Sequence, residues 1–344
     1  MTISRPVARL QDVARLAGVS AKTVSNVVND YVHVRPATRS RVQEAIDQLG
    51  YQPNVIARNL KSGRSGVIAL AVPELDAPYF AELAHHVVQA AMGRGWTVLV
   101  DETGQIQDRE LRARERSAAA GIRGHLIDGV ILSPLALDDA DVARYGSVPL
   151  VLLGERLGSH VADHVAIDNE AAAADMTRHL VASGRRRIAV VGAQPPPYGH
   201  SARLRLRGHR TALAEAGIRH DPSLVVRALD WRRPAGVAAA RQLLAMPSPP
   251  DAVFCFNDLL ALGVVRGLVD AGARVPDDVA VAGFDDIEES RYAVPSLTTI
   301  APDKVAIARG AVEHLARRLE RGPGWTPEEV PISYRLEVRE STGG

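Results

Sequence analysis

Hydrophobic residues near the start of the chain recur every three or four positions, which is the spacing of an amphipathic helix. Three such segments follow one another, with apolar stripes at Leu10, Val13, Ala14 and Ala17, at Val24, Val27 and Val28, and at Val42, Ala45, Ile46 and Leu49. Ser20 is placed to cap the second helix, while Pro36 and Gly50 suit the beginning and the end of the third. Two helices joined by a tight glycine-containing turn and braced by a third predict an N-terminal, all-α helix-turn-helix domain.

The second segment, AKTVSNVVN at residues 21–29, also has an unusual polar face. Lys22, Ser25, Asn26 and Asn29 recur at helical spacing, and three of the four are short, uncharged residues that form helices poorly. A solvated helix face usually carries Glu, Lys, Gln and Arg instead. This face therefore favours contact with a partner surface.

From Gly66 onward, short apolar runs alternate with amphipathic helical stretches. The runs are GVIALAVP, WTVLVD, DGVILSP, PLVLLG, HVAID, RIAVVGA, SLVVRALD, DAVFCFND and VAVAGFDD, followed by LTTI and PISYRLEVRES. This order predicts a parallel sheet, and the number of units predicts an α/β core of two doubly wound lobes, with a TIM barrel as the less favoured alternative. Residues 51–66 predict a linker with a helix that is too short to be stable alone.

Charge is distributed unevenly along the chain, although the net charge is only +1. Residues 1–65 contain ten Lys and Arg against four Asp and Glu, a balance of +6 that leaves −5 for the rest. A basic head on a mildly acidic body indicates a polyanionic partner for the head. Charge by itself is equally consistent with a solvated basic surface.

Several classes of protein are disfavoured by features that the sequence lacks. No run approaches the roughly 18 apolar residues of a membrane helix, and MTISRPVARL lacks the apolar segment of a secretory signal, so we expect a cytoplasmic protein without a membrane partner. The one cysteine, Cys255, excludes an internal disulfide and a cysteine metal cluster, and AVFCFND predicts a buried strand thiol.

Catalytic motifs are incomplete. The segment GHSAR at residues 199–203 has Arg203 where a nucleophile elbow needs its last glycine, and the pair His85-His86 lacks the spacing of a zinc protease. We therefore expect neither enzymatic activity nor a metal or cofactor.

Longer motifs resemble those of the lactose-repressor (LacI/GalR) family of bacterial transcriptional regulators. They are LQDVARLAGVSAKTVSNVVND and HVRPATRSRVQEAIDQLGYQPNVIARNLKSGRSGVIAL, then SARLRLRG, FNDLLALG, VAVAGFDDIEES and PSLTTI in family order. The resemblance implies a helix-turn-helix domain over residues 1–52, a hinge helix and linker over 53–65, and a two-lobed periplasmic-binding-protein-like effector core over 66–344. We expect lobe 1 to contain about 66–166 and 298–325, and lobe 2 about 167–297 and 326–341.

The resemblance further implies a homodimer or tetramer that binds a pseudo-palindromic DNA operator, most often as a repressor. Residue by residue, it places DNA contacts at Ser20, Ala21, Lys22, Thr23, Ser25, Asn26, Asn29, Asn54, Ala57, Arg58 and Leu60. Leu60 is expected to wedge into the central base step from the minor groove. Many relatives have Arg where this chain has Asn26, and Asn pairs with adenine where Arg prefers guanine, so a relative's operator sequence does not transfer. Because STGG follows the last strand without a leucine-heptad tail, we expect a dimer rather than a tetramer.

Polar residues that follow predicted strands are the candidates for a small-molecule site, because parallel sheets bind ligands beyond the carboxyl ends of their strands. These residues, which match effector-contacting positions of the family, are Ser133, Arg205, Trp231, Asn257, Asp258 and Asp285. Guanidinium, amide and carboxylate groups suit the hydroxyls of a sugar, and Trp suits the flat face of its ring.

Other interpretations of these residues remain open. Asp285 or Asp286 suits a cap for the helix IEESRYA, Arg205 a solvated charge run, and Trp231 a packing role. Gly154 stands where some sugar-binding relatives have Asp, and Pro302 where the lactose-responsive member has a polar side chain. The alternative function is a stand-alone cytoplasmic sugar receptor without a DNA role, which leaves the basic head without a purpose.

Overall fold

The computed structural model describes residues 8–28, 31–51, 64–121, 126–145, 148–154, 162–196, 198–321 and 325–344. Contacts within the chain divide it into two compact units, Met1–Gly66 and Val67–Gly344. None of the helices in these ranges is long and apolar enough to cross a membrane.

The first unit is built on three helices among its described residues. They are α1 (Leu10–Ala17), α2 (Ala21–Val28) and α3 (Pro36–Leu49). Each helix contributes a fully buried valine to the core, namely Val13, Val24 and Val42. Gly18 ends α1 with φ 62°, a left-handed conformation that glycine adopts without strain and that turns the chain into α2. The predicted helix-turn-helix is confirmed.

Two six-stranded sheets form the second unit. Their strands are β1 (Val67–Val72), β2 (Thr97–Glu102), β3 (Gly129–Leu132), β4 (Leu150–Leu153), β5 (Asp163–Ile167), β6 (Ile188–Ala193), β7 (Val225–Arg227), β8 (Ala252–Cys255), β9 (Ala280–Phe284), β10 (Thr298–Pro302), β11 (Glu329–Ile332) and β12 (Tyr334–Glu337). The strand order is β11-β5-β4-β3-β1-β2 in the first sheet and β12-β10-β9-β8-β6-β7 in the second. The pairings are parallel, except that β10 and β12 are antiparallel. The α/β prediction is therefore confirmed, and the barrel alternative is wrong.

Helices cover both faces of each sheet. They are α4 (Pro78–Met92), α5 (Leu111–Ala119), α6 (Asp139–Tyr145), α7 (Asn169–Ala182), α8 (His200–Glu215), α9 (Arg233–Leu244), α10 (Asp258–Asp270), α11 (Glu288–Tyr292) and α12 (Lys304–Arg321). The cores on the first sheet contain residues of α4 and α12 on one face and of α5 and α6 on the other. The cores on the second sheet contain α9 and α10, and α7 and α8. We call the first sheet with its helices the first lobe, and the second sheet with its helices the second lobe.

The chain passes between the lobes after β5, after β10, and at Ser333 between β11 and β12. Two of the predicted lobe boundaries are therefore wrong. The range 298–325 was expected in lobe 1, but β10 within it pairs with β9 of the second sheet. The range 326–341 was expected in lobe 2, but β11 pairs with β5 of the first sheet. Periodicity identified these strands but not their sheets, because a short apolar run fits the edge of either one.

Cys255 is fully buried in β8, as the sequence predicted. Burial also raises the pKa of its thiol well above the ordinary value, so the side chain stays protonated. A buried, protonated thiol behaves as a small apolar side chain.

Helices α9 and α10 approach each other to backbone contact through glycines. A Cβ atom added to Gly263 would lie 2.1 Å from the Arg233 carbonyl oxygen, and one added to Gly236 would lie 2.2 Å from the Leu260 carbonyl oxygen. Neither backbone can move without separating the helices. Gly310 in α12 differs, because the nearest atom to an added Cβ would be 3.6 Å away, an ordinary contact.

Gly263 and Gly310 make a matched pair for a stability test. Gly263→Ala should lower the free energy of unfolding by about 1–3 kcal/mol, because the added methyl overpacks the helix contact. Gly310→Ala should raise it by up to about 1 kcal/mol, because alanine favours a helix interior and meets no obstacle. Urea denaturation followed by circular dichroism measures both, and an equal loss in the two variants would contradict this account.

Candidate functional site

Helix α2 begins at a side-chain cap. The Ser20 hydroxyl oxygen accepts a hydrogen bond from the Thr23 backbone N–H at 3.1 Å, and the two hydroxyl oxygens lie 2.9 Å apart. Ser20 was predicted both to cap this helix and to contact DNA. The cap is observed, and it leaves hydroxyl lone-pair and donor capacity at the start of the helix.

The far end of α2 is held by α3. The Arg39 guanidinium donates to the Tyr31 carbonyl at 2.9 Å and approaches the Val27 carbonyl at 3.5 Å. A cation at the carboxyl end of a helix is favourable, because unpaired carbonyl groups collect there. Arg39 thus ties the carboxyl end of α2 to α3, while the Ser20 cap holds the first turn of α2 itself.

The predicted DNA contacts divide into two groups. Ala21 and Lys22 are exposed, and Thr23, Ser25 and Asn26 are partly exposed, on a helix whose opposite side buries Val24 and Val27. The remaining predicted contacts lie outside the described residues: Asn29, Asn54, Ala57, Arg58 and Leu60. The DNA-contact roles of all these residues stay predictions.

A cleft in the second unit brings together five of the six residues that were predicted to bind an effector, whereas Asp258 is fully buried and does not line it. Its lining includes Ser133 from the first lobe and Arg205, Trp231, Asn257 and Asp285 from the second. Each follows the carboxyl end of a parallel strand, as expected for this class of sheet. Their proximity is observed, whereas their role as effector ligands stays a prediction.

Arg205 is the buried cation of the cleft. Its Nε donates to the Asn169 side-chain oxygen at 2.8 Å, and another of its nitrogens donates to the Phe256 carbonyl. The guanidinium carbon lies 3.4 Å from the centre of the Phe284 ring and 5.6 Å from that of Trp231. These contacts hold the charged plane in one orientation, so a ligand meets a preorganised donor.

Trp231 and Asn257 position each other. The Asn257 amide nitrogen donates to the Trp231 carbonyl at 2.9 Å, while its amide oxygen caps α10 by accepting from the Leu260 N–H at 2.9 Å. The Trp231 indole N–H donates to the Gly192 carbonyl at 3.1 Å. Asn257 keeps one amide hydrogen and one oxygen lone pair, so capping the helix does not prevent it from binding a ligand.

Asp285 carries the carboxylate of the cleft, and the described residues include no hydrogen-bond partner for it. Burial raises the pKa of Asp285 to about 7, although the neighbouring Arg205 and Lys304 charges act to lower it. The alternative that Asp285 caps α11 is wrong. The buried Asp258 carboxylate instead accepts from the Ile287 N–H at 3.1 Å and from the Ser290 hydroxyl at 2.8 Å.

The two lobes supply walls of different character. Polar lining residues come mainly from the second lobe, whereas the first lobe contributes mostly apolar ones, including Phe80, Leu83, Leu135 and Leu153. Gly154 and Pro302, at which the resemblance implied polar side chains in some relatives, also line the cleft. Both substitutions make the wall less polar.

Six polar residues of the cleft were not predicted from the sequence, namely Glu74, Tyr79, Gln105, Asn169, Gln194 and Ser201. Asn169 and Gln194 do follow strands, so the rule applied to Ser133 would have found them. Tyr79 begins a helix after a loop, and nothing in its local sequence distinguishes it.

An ion pair connects the lobes beside the cleft. Arg232 of the second lobe contacts the Glu74 carboxylate and bonds an Asp76 oxygen at 3.0 Å, both in the first lobe. Burial acts to raise the pKa of Glu74 more strongly than Arg232 acts to lower it. The pair is therefore formed at some desolvation cost.

Comparison with known proteins finds a matching family for each of the two units. Residues 9–54 match the model of bacterial regulatory proteins of the lacI family, and residues 177–342 match a periplasmic binding protein-like domain. The HTH-type transcriptional repressor PurR of Photobacterium profundum is 33% identical over 322 residues, which cover 91% of this chain and 92% of PurR. The chain belongs to the lacI family of bacterial regulatory proteins.

Solved structures of this family share the whole architecture. A lac repressor dimer bound to operator and the anti-inducer ONPF is 30% identical, covers 98% of this chain and 99% of its own, and superposes with a TM-score of 0.84. The regulator CelR in complex with cellobiose is 35% identical, covers 97% and 99%, and has a TM-score of 0.72. As a lacI-family member with a helix-turn-helix head, this protein is a DNA-binding transcriptional regulator.

The raised pKa of Asp285 predicts how stability changes with pH. Between about pH 4 and pH 7 the folded chain retains a proton on Asp285 that the unfolded chain has released, since an ordinary Asp has a pKa of about 3.9. The free energy of unfolding should therefore fall as pH rises through this range. Asp258, whose pKa burial raises to about 8, contributes a fall of the same sign.

Asp285→Asn should make this decline shallower, because asparagine does not titrate. Urea denaturation at a series of pH values measures the slope for the variant and the parent. Glu288→Gln, at an exposed position three residues away, is the control and should keep the parental slope. Parallel slopes for the parent and Asp285→Asn would mean that the Asp285 carboxyl titrates in its ordinary range.

Proposed function

We propose that this regulator binds a pseudo-palindromic operator as a homodimer in the cytoplasm, represses transcription there, and is controlled by a neutral sugar bound in the cleft. The observation that carries the sugar assignment is the convergence of Arg205, Asn257, Trp231 and Asp285 on one cleft. A stand-alone receptor is disfavoured, because it would have no use for the exposed polar face of α2.

The support for operator binding comes from the head. Ala21 and Lys22 project from α2 into solvent, and Asn26 lies on the same helix with part of its surface accessible. Short side chains at these places reach base edges when the helix lies in the major groove. The excess of basic residues in the head attracts the phosphates.

The support for a neutral effector comes from the charges of the cleft. Among its described lining residues, Arg205 is the one Lys or Arg, whereas Glu74 and Asp285 are acidic. Arg205 is already bonded to Asn169 and Phe256, so the cleft offers little cationic charge to balance a phosphorylated ligand. A carboxylate, an amide and a guanidinium suit hydroxyl groups, and the Trp231 ring supplies a flat face for a sugar ring. The CelR–cellobiose complex is consistent with a sugar of this kind.

A thermal-shift screen tests the effector class. Neutral mono- and disaccharides, the corresponding sugar phosphates, and nucleosides are added to the full chain at millimolar concentration. A ligand at 100 times its dissociation constant stabilises the folded state by about 2.7 kcal/mol, which gives a clear rise in melting temperature. Stabilisation by neutral sugars supports the proposal, and stabilisation by sugar phosphates or nucleosides alone contradicts it.

Operator binding gives the next prediction. The full chain should select a pseudo-palindrome from random duplex DNA, with half-sites about one helical turn apart and an affinity that falls steeply with salt. Lys22→Ala should cost about 1–3 kcal/mol of binding free energy and relax base preference, because it removes a contact at the base-reading end of α2. Arg94→Ala, an exposed charge in the second unit, should bind as the parent does. Failure to select any palindrome would overturn the operator proposal.

Coupling between effector and operator gives a further prediction. The effector must change the protein's affinity for the operator by the same factor by which the operator changes its affinity for the effector, typically 5- to 150-fold. Asp285→Ala should abolish the response to the sugar yet keep operator affinity, because it removes a charge-assisted contact worth about 1.5–3 kcal/mol only in the cleft. Glu288→Ala is the matched control and should respond normally. Calorimetry of the sugar with and without operator checks the coupling, and identical affinities would refute it.

A further inference from the structure

The turn that presents Asp285 to the cleft has a backbone conformation that is rare for its residues. Asp285 has φ 113° and Asp286 has φ 47°, two consecutive left-handed positions without glycine. Such positions are strained for residues other than glycine and persist only where the surrounding structure imposes them. The contacts around this turn therefore indicate what holds the Asp285 carboxylate in place.

Second-lobe contacts fix one side of the turn. The Asp285 N–H donates to the Ile300 carbonyl at 2.8 Å, which continues the pairing of β9 with β10. The Asp286 carboxylate accepts from Arg291 at 2.9 Å and from Arg339 at 2.6 Å. These contacts involve the backbone N–H of Asp285 and the side chain of Asp286. The backbone carbonyl groups of both residues are bonded elsewhere.

Lys304 is the partner of these two carbonyl groups. Its ammonium group donates to the Asp285 carbonyl at 3.0 Å and to the Asp286 carbonyl at 2.9 Å. The same group forms an ion pair with Glu82 on α4, and only 11% of the Lys304 side chain is exposed. Lys304 is the first residue of α12, whose apolar face packs in the core of the first lobe. One ammonium group therefore joins the second-lobe turn to two first-lobe helices.

We propose that Lys304 is the positioning residue for Asp285, and that its ion pair with Glu82 ties the effector-binding turn to the first lobe. The proposal rests on the proposed function, in which Asp285 binds the effector. Neither Lys304 nor Glu82 needs to touch the effector. A sugar that engages Asp285 would act on α4 and α12 through this one ammonium group.

Charged and titratable groups from four helices face Asp285. Lys304 comes from α12, Arg205 from α8, Glu82 and Tyr79 from α4, and Asp258 from α10. Lys304 acts to lower the pKa of Asp285, whereas Glu82 acts to raise it. The two members of the ion pair should therefore shift the titration of Asp285 in opposite directions when each is neutralised. If neutralising either residue only loosened the turn, Asp285 would become exposed, and its pKa would fall toward the ordinary value of about 3.9 in both variants.

Titration of the full, ligand-free chain tests the proposal. The chain is labelled with ¹³C at the Asp carboxyl carbons, the Asp285 signal is identified by its loss in Asp285→Asn, and its midpoint is followed by NMR. Lys304→Met should raise the midpoint by about 1 unit, the size expected when a neighbouring opposite charge is removed. Glu82→Gln should lower it. Lys304→Arg keeps the charge and should stay near the parent.

Arg309→Met is the control, because it removes an exposed cation from the same helix and should leave the midpoint unchanged. An unchanged or lowered midpoint in Lys304→Met overturns the proposal, as does an equal rise in Arg309→Met. Circular dichroism of each variant checks that it is folded. If Lys304→Met is not, Glu82→Gln still tests the ion pair, and an unchanged or raised midpoint in that variant overturns the proposal. The titration needs no effector, so it remains decisive even if no neutral sugar binds in the thermal-shift screen.

Discussion

Parallel strand pairing is the constraint on which the rest of the second unit depends. It places the carboxyl ends of β3 in the first sheet, and of β6, β7, β8 and β9 in the second, along edges that border one cleft. Residues far apart in the chain, from Ser133 to Asp285, become neighbours for this reason alone. Both faces of each sheet must then be covered, which explains why the central strands β3, β4, β6, β8 and β9 are apolar and fully buried, and why polar groups gather beyond their ends.

Much of this arrangement could be predicted from the sequence, because it depends on local regularities. Helical periodicity located α1, α2 and α3, and the single residues Ser20 and Gly50 marked their ends correctly. Apolar runs located the strands in the same way. The sheets of β10 and β11 were predicted wrongly. The sheet of β11 is decided by a pairing partner more than a hundred residues away, and that of β10 is obscured because the following helix, α12, crosses to the other lobe. No local pattern records such a choice.

The candidate site shows the same division. The rule that ligands lie beyond strand ends identified five residues that do share a cleft. It could not identify Lys304, because that residue begins a helix and looks in sequence like any solvent-facing lysine. Its partners are backbone carbonyl groups and Glu82, more than two hundred residues earlier. Asp258 also has a role that its place in the sequence does not reveal. It follows Asn257 directly, yet its fully buried carboxylate holds the start of α11 through Ile287 and Ser290. Roles of this kind come from tertiary packing, which residue type does not encode.

The single residue between β11 and β12 has a mechanical consequence. Ser333 separates a strand of one sheet from a strand of the other, and a trans peptide unit spans only about 3.8 Å. The sheets therefore cannot draw apart at this point, and any relative movement must be a rotation whose axis passes close to Ser333. Groups far from that axis travel furthest for a given angle. Because the chain also crosses after β5 and after β10, small torsional changes at all three crossings together displace the parts of the second unit that lie far from them.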